Sequence, residues 1–527
     1  MRHLPLLVVL LVSLLLSATA LDWGLPAGER VWAFDELTPR QVQGAARRGF
    51  ADGWVANYPP LHYRLLHLEA QAVRHLSSDW PELRPLARDT RLRRAGRWLS
   101  VTMATLLIWG VYRCARLYTD RSEACLAAAV AASCLPFAYY AKTANVDVPY
   151  LFWFVAALFF LGRILRHGRW SDHVLLAVTA VAAVATKDQA IALFVPLPAI
   201  LFVAGYRRVD GDASRSRRLA RACVDGRFLT AGGVAVASFV LMLNLPANWD
   251  GFVGHVRRLM TVSVKRFDVY EPTVSGHLAM AGQSVEHLAF AMSWPLLVAA
   301  VLGVAWALGR RGRAAIPLAY LLCAGSYYVF FVSVIRHNYV RFLLPITLVL
   351  AFFAASALAQ MARRRAGRLT PLAVIGVLLV FAFARAAALD RLMLRDSRYA
   401  AETWLEQHAA GAKVAGLGRP QMLPRELIGM PWPRLRRLGV EVLAQRGFDY
   451  VVWSRSGILR PGEAALAAGL ATEAGGFVRE RCFATPRPWP MPATEGIYTN
   501  LDKINPEVCV LRRRAPPGVR AETASER

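Results

Sequence analysis

The sequence predicts an all-α polytopic membrane protein with about eleven transmembrane helices, a long first outer loop and a small exported C-terminal α/β domain. Hydrophobic residues make up 56% of its 527 positions and charged residues only 19%, a balance beyond that of ordinary soluble domains. Apolar windows long enough to cross a bilayer recur along most of the chain. Arginine-rich connections separate them in a regular alternation, which is typical of a polytopic protein with a fixed orientation.

The apolar windows define the predicted spans, each roughly 18–22 residues long, as a bilayer crossing requires. They lie near residues 4–21, 98–118, 124–141, 146–165, 173–206, 227–246, 288–308, 314–334, 340–360 and 370–389. The 173–206 window is predicted to be a pair of short helices around Lys187. The first window ends in small residues at Ala18-Thr19-Ala20, so it is either a cleavable signal peptide or a retained anchor helix. Both alternatives put residue 22 onward outside the cytoplasm.

Arginine clusters predict the orientation. They run from Arg113 to Arg121, Arg163 to Arg169, Arg207 to Arg227, Arg310 to Arg313, and Arg363 to Arg368. Because Lys and Arg concentrate in cytoplasmic loops, every other connection is predicted to be external. The alternation holds only if Lys187 and Asp188 form an outer turn. It also accounts for the net charge of +27 without a nucleic-acid partner, since the arginines flank apolar segments and form no continuous basic face.

The predicted outer side carries the long polar segments. Residues 22–97 form the first outer loop, in which Pro59-Pro60 precedes an amphipathic interfacial helix over Leu61–Leu76. Residues 247–287 form a second external loop. Both are long enough to contribute to a site at the outer surface of the membrane.

Spanning hydropathy is lost from about residue 393 onward. Alternating patterns at Lys413–Leu417 and Asp449–Trp453 predict strands, and Tyr399–His408 is predicted to be helical. The predicted domains are a transmembrane domain over 1–392, an exported α/β domain over 393–512 and a disordered tail over 513–527.

Seven cysteines are scattered along the chain with no metal-ligand spacing. Five lie in or beside apolar stretches and are expected to be inert: Cys114, Cys125, Cys134, Cys223 and Cys323. Cys482 and Cys509 belong to the predicted exported domain, where a disulfide between them is expected. Two unpaired thiols are the alternative.

Charged residues at the edges of spanning helices are costly and are therefore candidates for function. Those on the predicted outer side are Asp35, Glu36, Lys142, Asp147, Lys187, Asp188, Asp250, Arg336 and Arg341. A transporter keeps such groups near the membrane midplane and usually has related halves, but this sequence shows no internal repeat. A mixed set of acids and bases facing one compartment favours a site that opens outward.

Asp35 and Glu36 follow the first span directly. A carboxylate there can act as a general base by accepting a hydroxyl proton as the oxygen attacks. Two acids that cap the next helix are the structural alternative. Asp147, just before Pro149, is either an ordinary helix cap or a group that orients a substrate hydroxyl or a divalent cation.

Several cations and polar groups on the same side are candidate ligands for a lipid phosphate: Tyr58, His62, Lys142, Lys187, Arg336 and Arg341. Lys187 interrupts a long apolar stretch and needs an anionic partner, which is either a neighbouring Asp or a phosphate. The arginines could instead extend to ordinary phospholipid headgroups. His62 fits the membrane interface as well as it fits a phosphate.

The order of these features resembles the polyprenyl-phosphate-dependent glycosyltransferases of the membrane GT-C superfamily. It is most similar to glycosyltransferase family 39, which includes protein mannosyltransferases and lipid A aminoarabinose transferases. The likeness covers about residues 1–410. It rests on Phe34-Asp35-Glu36, Pro59-Pro60-Leu61, Asp147-Val148-Pro149, Thr186-Lys187, Arg341-Phe342-Leu343-Leu344-Pro345 and Asp396-Ser397-Arg398 through Trp404.

This resemblance implies an inverting enzyme of the inner or plasma membrane that transfers a sugar from a polyprenyl-phosphate donor to an acceptor at the outer face. Asp35 would be the base with Glu36 in support, Asp147 would assist, and Lys187 with Arg341 would hold phosphate. Relatives differ in their use of a divalent metal, so the metal requirement stays open.

One departure is Tyr58, where some relatives carry a Lys before the Pro-Pro. The oligosaccharyltransferase Trp-Trp-Asp-Tyr-Gly motif is absent from this sequence, which argues against that branch. A transporter or flippase of a lipid-linked precursor and a non-catalytic membrane scaffold remain the alternative functions.

Overall fold

The computed structural model describes residues 4–26, 31–48, 50, 58–76, 85–209, 214–258, 269–309, 314–364, 369–425, 443, 445–454 and 476–514. The chain divides into two compact units. The membrane unit comprises Met1–Leu21, Asp35–Asp390 and Trp489–Thr499, and the C-terminal unit comprises Asp22–Phe34, Arg391–Pro488 and Asn500–Arg527. A single boundary near residue 392 does not capture the short segments that each unit takes from the other's part of the sequence. The predicted disordered tail lies, beyond Arg514, outside the described residues.

The membrane unit is built from helices over its described residues. Its first half contains α1 (Leu4–Ala18), α2 (Pro39–Arg47), α3 (Pro60–Leu76), α4 (Pro85–Ala115), α5 (Arg121–Ala132), α6 (Leu135–Tyr140), α7 (Asp147–His167), α8 (Trp170–Thr186), α9 (Ile191–Phe194) and α10 (Leu197–Arg208). The second half contains α11 (Arg215–Cys223), α12 (Gly226–Met242), α13 (Trp249–Arg258), α14 (Val274–Met292), α15 (Trp294–Gly309), α16 (Ala315–Tyr327), α17 (Ser333–Ile335), α18 (Leu344–Arg364) and α19 (Leu369–Leu394), the last of which runs on into the C-terminal unit.

The long apolar helices confirm a multi-pass membrane protein. Within the described residues, seven helices are long and apolar enough to cross a bilayer, or up to eight if the bent pair α14–α15 counts as one span. α1 and α8 are shorter apolar helices. The predicted fold class is therefore confirmed, whereas the predicted number of eleven spans is not established by helix length and composition.

The predicted helical hairpin around Lys187 is present. α8 ends at Thr186, and the chain continues through a short 3-10 turn at Asp188–Ala190 into α9 and α10. At the far end of α10, Arg208 donates to the Ile164 carbonyl at 3.1 Å, beside the start of α8. The segment after Lys187 therefore returns to the side of the membrane unit from which α8 began.

Two predicted spans are interrupted. The 124–141 window forms α5 and α6, because the helix stops at Ser133 and restarts at Leu135, whose next residue is Pro136. The 288–308 window contains a bend of 113° between α14 and α15, at Ser293 with φ of 78°. The external loop predicted over 247–287 contains two helical segments in its described residues, α13 and most of α14.

The ends of the helices in the membrane unit carry two different sets of charges. At one set of ends, Arg166 donates to the Leu117 carbonyl at 2.7 Å, and Arg363 pairs with Asp120 at 3.0 Å and Glu123 at 2.8 Å. At the opposite ends of α7 and α18 lie Asp147 and Arg341. We call the first set the arginine face and the second the acid–base face. The predicted Arg310–Arg313 cluster lies outside the described residues.

The C-terminal unit contains α20 (Ser397–His408) and four strands, β1 (Val414–Leu417), β2 (Tyr450–Ser454), β3 (Phe477–Phe483) and β4 (Val508–Arg513). The sheet order is β1-β2-β4-β3, with β1 parallel to β2 and the other pairs antiparallel. A core that includes Val451, Trp453 and Leu511 lies on one side, and Trp404 of α20 packs with Val452 and Val510 on the other. The predicted strands near Lys413 and Asp449 and the predicted helix are confirmed.

Cys482 and Cys509 form the predicted disulfide, and they face each other across the β3–β4 pair. Contacts of Asp396 and Arg398 also hold Trp23 and Trp32, which precede Asp35 in the sequence, within this unit. Arg398 is fully buried, pairs with Asp396 at 2.6 Å and lies 4.1 Å from the centre of the Trp32 ring. Trp23 also donates to Asp396 at 3.0 Å.

Candidate active site

Asp35 and Arg341 meet on the acid–base face. Nη1 of Arg341 lies 2.5 Å from Oδ2 of Asp35. The Asp35 side chain is 40% exposed and therefore open to solvent, whereas the Arg341 side chain is 17% exposed. The rings of Tyr339 and Phe342 lie 5.0 Å and 5.6 Å from the Arg341 guanidinium. An accessible carboxylate thus stands beside a largely sequestered cation.

The backbone turn at Asp35 sends its side chain and that of Glu36 in different directions. Asp35 has φ of 63°, a left-handed conformation that Asp tolerates better than most residues. Glu36 is buried, and its carboxylate accepts hydrogen bonds from Nε and Nη2 of Arg97 at 2.7 Å and 2.9 Å. Its Oε1 also accepts the Ala144 backbone N–H at 2.9 Å. Asp35 is presented outward because its neighbour is fixed inward.

These contacts join three segments of the membrane unit. The Leu37 N–H donates to the Ala144 carbonyl at 2.8 Å, and Arg97 also donates to the Leu21 carbonyl at 2.5 Å. We call Glu36, Leu37, Arg97 and Ala144 the Glu36 clamp. Burial alone raises the pKa of Glu36, but the Arg97 guanidinium outweighs it and holds the pKa below its usual value.

Asp147 and Lys187 form a second, buried ion pair on the acid–base face. Nζ of Lys187 lies 2.6 Å from Oδ1 of Asp147, and the two side chains are 4% and 1% exposed. Asp147 begins α7, where the Asn145 side chain accepts its backbone N–H at 2.8 Å. Lys187 leaves the end of α8 in an extended conformation, which directs it away from the helix axis. Of the two anionic partners predicted for Lys187, a neighbouring Asp or a phosphate, the Asp partner is therefore present.

The two pairs are neighbours. The Phe342 ring lies 5.9 Å from Nζ of Lys187 and 5.6 Å from the guanidinium of Arg341, so both cations approach one aromatic ring. Tyr58 belongs to the same neighbourhood. Burial raises the pKa of its hydroxyl, and the charges of Arg341, Asp35 and Asp147 act on it as well. Residues from five distant parts of the sequence thus converge on one site.

Three other candidate residues lie in different surroundings. Lys142 is buried in an ion pair with Asp390 and also donates to the Leu16 carbonyl at 2.6 Å. Arg336 occupies a left-handed position after α17, and its carbonyl accepts the Tyr270 N–H at 3.2 Å. His62 is fully buried in α3, and burial lowers its pKa to about 3. A neutral, enclosed imidazole is poorly suited to bind phosphate.

Sequence reasoning missed several partners of these residues. Arg97 is the most important, and its position at the edge of the 98–118 window could have marked it as a candidate. His255 on α13 is another missed partner, since its Nε2 lies 2.8 Å from Oδ2 of Asp188. Gln189 donates to the Tyr327 hydroxyl at 2.6 Å. A lone His or Gln in a long sequence gives no local signal of such contacts.

A sequence profile described as dolichyl-phosphate-mannose-protein mannosyltransferase matches residues 90–211. This segment contains Arg97, Asp147 and Lys187, but neither Asp35 nor Arg341. It covers less than half of the chain. No curated protein sequence matches the chain.

Among solved structures, the chain is similar to the oligosaccharyltransferase AglB from Archaeoglobus fulgidus in complex with an inhibitory peptide and a dolichol-phosphate, with 14% identity, 92% of this chain and 74% of that chain covered, and a TM-score of 0.48. It is similar to ArnT from Cupriavidus metallidurans bound to undecaprenyl phosphate, with 14% identity, coverage of 96% and 97%, and a TM-score of 0.41. It also resembles the S. cerevisiae protein O-mannosyltransferase Pmt1-Pmt2 complex bound to the sugar donor, with 14% identity, coverage of 46% and 33%, and a TM-score of 0.35.

The profile match falls on the helices that carry Arg97, Asp147 and Lys187, where the sequence motifs had already indicated a likeness. The chain is thus a multi-pass membrane protein whose resemblance to the dolichyl-phosphate-mannose-protein mannosyltransferase family is confirmed over residues 90–211.

Proposed function

We propose that the chain is an inverting membrane glycosyltransferase of the inner or plasma membrane, with its site on the periplasmic or extracellular side. It transfers a sugar from a polyprenyl-phosphate donor to an acceptor hydroxyl or phosphate. The observation that carries the proposal is the exposed Asp35 carboxylate, 2.5 Å from Arg341 and next to the Lys187–Asp147 pair. A base, phosphate-binding cations and a membrane-embedded scaffold are what a lipid-phosphate donor requires.

Asp35 acts as the general base. With a hydroxyl acceptor, the acceptor oxygen bonds to the anomeric carbon and its proton passes to the Asp35 carboxylate. The bond between that carbon and the phosphate oxygen breaks, and its electron pair leaves with the polyprenyl phosphate. Attack opposite the leaving group inverts the anomeric centre. An acceptor phosphate that is already ionised needs no proton transfer and relies on the cations alone.

Arg341 and Lys187 stabilise the charge that develops on the leaving phosphate. When the donor binds, its phosphate competes with Asp35 for the Arg341 guanidinium, whose fork of donors suits phosphate oxygens. This exchange of partners releases the carboxylate at the moment the acceptor needs a base. Asp147 keeps the Lys187 ammonium oriented through the 2.6 Å contact.

The proposed sidedness rests on the separation of the two faces. Arg166 and Arg363 lie at helix ends opposite to Asp147 and Arg341. Because arginine-rich connections are retained in the cytoplasm, the acid–base face is assigned to the outer side.

The test compares cells that lack the chain with cells that express the wild type, Asp35→Asn or Asp250→Asn. Asp250 is an exposed acid on α13 and provides a matched control. We expect mass spectrometry of envelope lipids, glycans and proteins to show a sugar modification with the wild type and Asp250→Asn. Asp35→Asn should reduce its rate by about 10²–10⁴-fold at equal expression.

Full activity of Asp35→Asn would remove that residue from the mechanism. The transporter alternative is tested separately with purified wild-type protein and the lipid-linked sugar identified in those cells. A new glycosidic product supports the enzyme. Movement of the donor between leaflets without any product supports the transporter.

A further inference from the structure

A cavity of about 350 Å³ lies between α2, α3 and α4, beside the Glu36 clamp. Leu37 and Ala144 of the clamp form part of its wall. Gly96 of α4 allows the close approach of α3 and of the connection between α6 and α7, since a Cβ there would lie 3.1 Å from Leu66 and 3.2 Å from Ala144. The cavity is therefore a built feature of the helix packing.

Arginines dominate the charge of this cavity. Its lining includes Arg40, Arg74, Arg88 and Arg93, against the two carboxyl groups of Glu69 and Asp89. These arginines come from three different helices, so their convergence is a property of the fold and not of one basic stretch of sequence. Nε of Arg74 donates to the Ala70 carbonyl at 3.0 Å, which orients this guanidinium at the wall.

The position of α3 indicates where the cavity lies relative to the bilayer. α3 is the amphipathic helix predicted to rest in the membrane interface, and its Leu68 is 60% exposed beside Glu69. A helix of this kind inserts its apolar side chains at the depth of the lipid headgroups. With α3 in that position, the cavity that its Glu69 and Arg74 help to line is placed at the level where phosphate groups of lipids and of lipid-anchored molecules are found.

We propose that this cavity is a binding site for a phosphate-class anion, separate from the Asp35–Arg341 site and held by Arg40, Arg74, Arg88 and Arg93. Arginine forks bind phosphate oxygens in planar, bidentate geometry, and several forks around one cavity suit a doubly charged group. The anion is the phosphate of a lipid headgroup or of a soluble or acceptor molecule. The inference concerns binding alone and does not depend on the proposed transfer reaction.

Glu69 gives this site a pH dependence. Burial raises the pKa of its carboxyl to about 7. The charged groups facing the same cavity are Arg40 from α2, Arg74 from α3, and Arg88, Asp89 and Arg93 from α4. As pH falls through about 7, Glu69 loses its negative charge and no longer repels an anion. Binding should therefore strengthen on acidification, and Glu69→Gln should bind at alkaline pH as tightly as the wild type does at acidic pH.

The test is a titration of the purified, lipid-depleted full chain in detergent with inorganic phosphate and with sulfate, by calorimetry. Sulfate keeps a constant charge across the neutral range, so its pH dependence reports on the protein. We expect saturable binding that weakens by about tenfold or more in Arg74→Gln and in Arg88→Gln. Arg94→Gln is the matched control, because Arg94 is an exposed residue of α4 outside the cavity lining.

Two arms distinguish the source of the anion. Phospholipid that copurifies with the wild type but not with Arg88→Gln identifies a lipid headgroup. Equal lipid in both proteins, with saturable binding of free phosphate to the wild type alone, identifies a soluble or acceptor phosphate. If Arg74→Gln does not fold, Arg88→Gln carries the test because Arg88 is exposed. Failure of phosphate, sulfate and phospholipid to bind, or an equal loss in Arg94→Gln, overturns the proposal.

Discussion

Arg341 and Asp35 are separated by 306 positions in the sequence, yet their side chains are 2.5 Å apart. The contact joins the turn after the first helix to the start of α18. Phe342, the residue after Arg341, also reaches toward Lys187. One short segment before α18 therefore connects the proposed base to the second ion pair.

Substitution of Arg341 should separate its charge from its geometry. Arg341→Lys keeps the charge but loses the fork of donors, whereas Arg341→Ala loses both. We expect the KM for the lipid donor to rise by about tenfold in Arg341→Lys and further in Arg341→Ala, since hydrogen bonds to charged groups are worth about 1.5–3 kcal/mol. Steady-state kinetics at varied donor concentration provide the measurement. Unchanged KM values in both variants would exclude Arg341 from donor binding.

The Lys187–Asp147 pair should behave differently when one or both partners are removed. Lys187→Met leaves Asp147 buried without its cation and should lower the free energy of unfolding by about 3–5 kcal/mol. The double variant Lys187→Met with Asp147→Asn should recover much of that loss. Thermal unfolding in detergent measures both effects. If the double variant regains stability but still uses the lipid donor poorly, Lys187 has a functional role beyond the ion pair; normal donor use would leave it a purely structural residue.

Glu36→Gln should disturb the position of Asp35 more than the binding of substrate. The variant weakens the clamp to Arg97 and Ala144, so kcat should fall while the KM for the donor changes little. The pKa of Glu36 lies below its usual value of 4.5 in the folded chain, so its stabilising contribution is present above that value and is lost as pH falls through the folded-state pKa. The wild type should therefore lose stability on acidification more steeply than Glu36→Gln. Parallel profiles of Tm against pH would contradict this role.

Cys223 offers a direct test of sidedness. It is an exposed free cysteine on α11, within the arginine-rich segment of the membrane unit. A membrane-impermeant maleimide should label it only after cells are opened. Asp250→Cys, made in a Cys223→Ser background, should be labelled in spheroplasts with an intact inner membrane. The reverse labelling pattern would put the acid–base face in the cytoplasm and contradict the proposed orientation.

The disulfide between Cys482 and Cys509 should contribute to the stability of the C-terminal unit. It closes a loop with a sequence separation of 27, for which about 2–4 kcal/mol is typical. Reduction, or the double substitution to Ser, should lower the melting temperature of that unit. Cys223→Ser serves as the control and should have no effect. An unchanged transition after verified reduction would show that the β3–β4 pairing suffices alone.

Local and periodic signals in the sequence predicted much of this fold. Hydropathy windows and the Lys187 interruption located the long helices, and alternation at Lys413–Leu417 located β1. The bend at Ser293 was not predicted, because a hydropathy profile contains no information on the direction of a helix. The sequence also did not predict that Asp22–Phe34 belongs to the C-terminal unit, because this assignment depends on the long-range packing of Trp32 on Arg398.

The sequence predicted which charged residues belong to the candidate site better than it predicted which of them form ion pairs. Charged residues at the ends of apolar spans stand out individually, and thus Asp35, Asp147, Lys187 and Arg341 could all be selected. Which acid meets which base depends on the order of helices around the bundle, and a single sequence does not encode that order in any local pattern. Lys142 shows the consequence, since its partner Asp390 lies 248 positions further along the sequence.

The contact between Lys142 and the Leu16 carbonyl bears on the maturation of the protein. A protease that cut after Ala20 would remove α1 and with it an acceptor for a buried ammonium group, leaving Asp390 to satisfy that charge. Because a buried ammonium would lose one of its two acceptors, the contact favours retention of α1 in the folded protein. Amino-terminal sequencing of protein isolated from membranes should therefore begin upstream of Ala20, with the hydrophobic leader serving as a permanent part of the helix bundle.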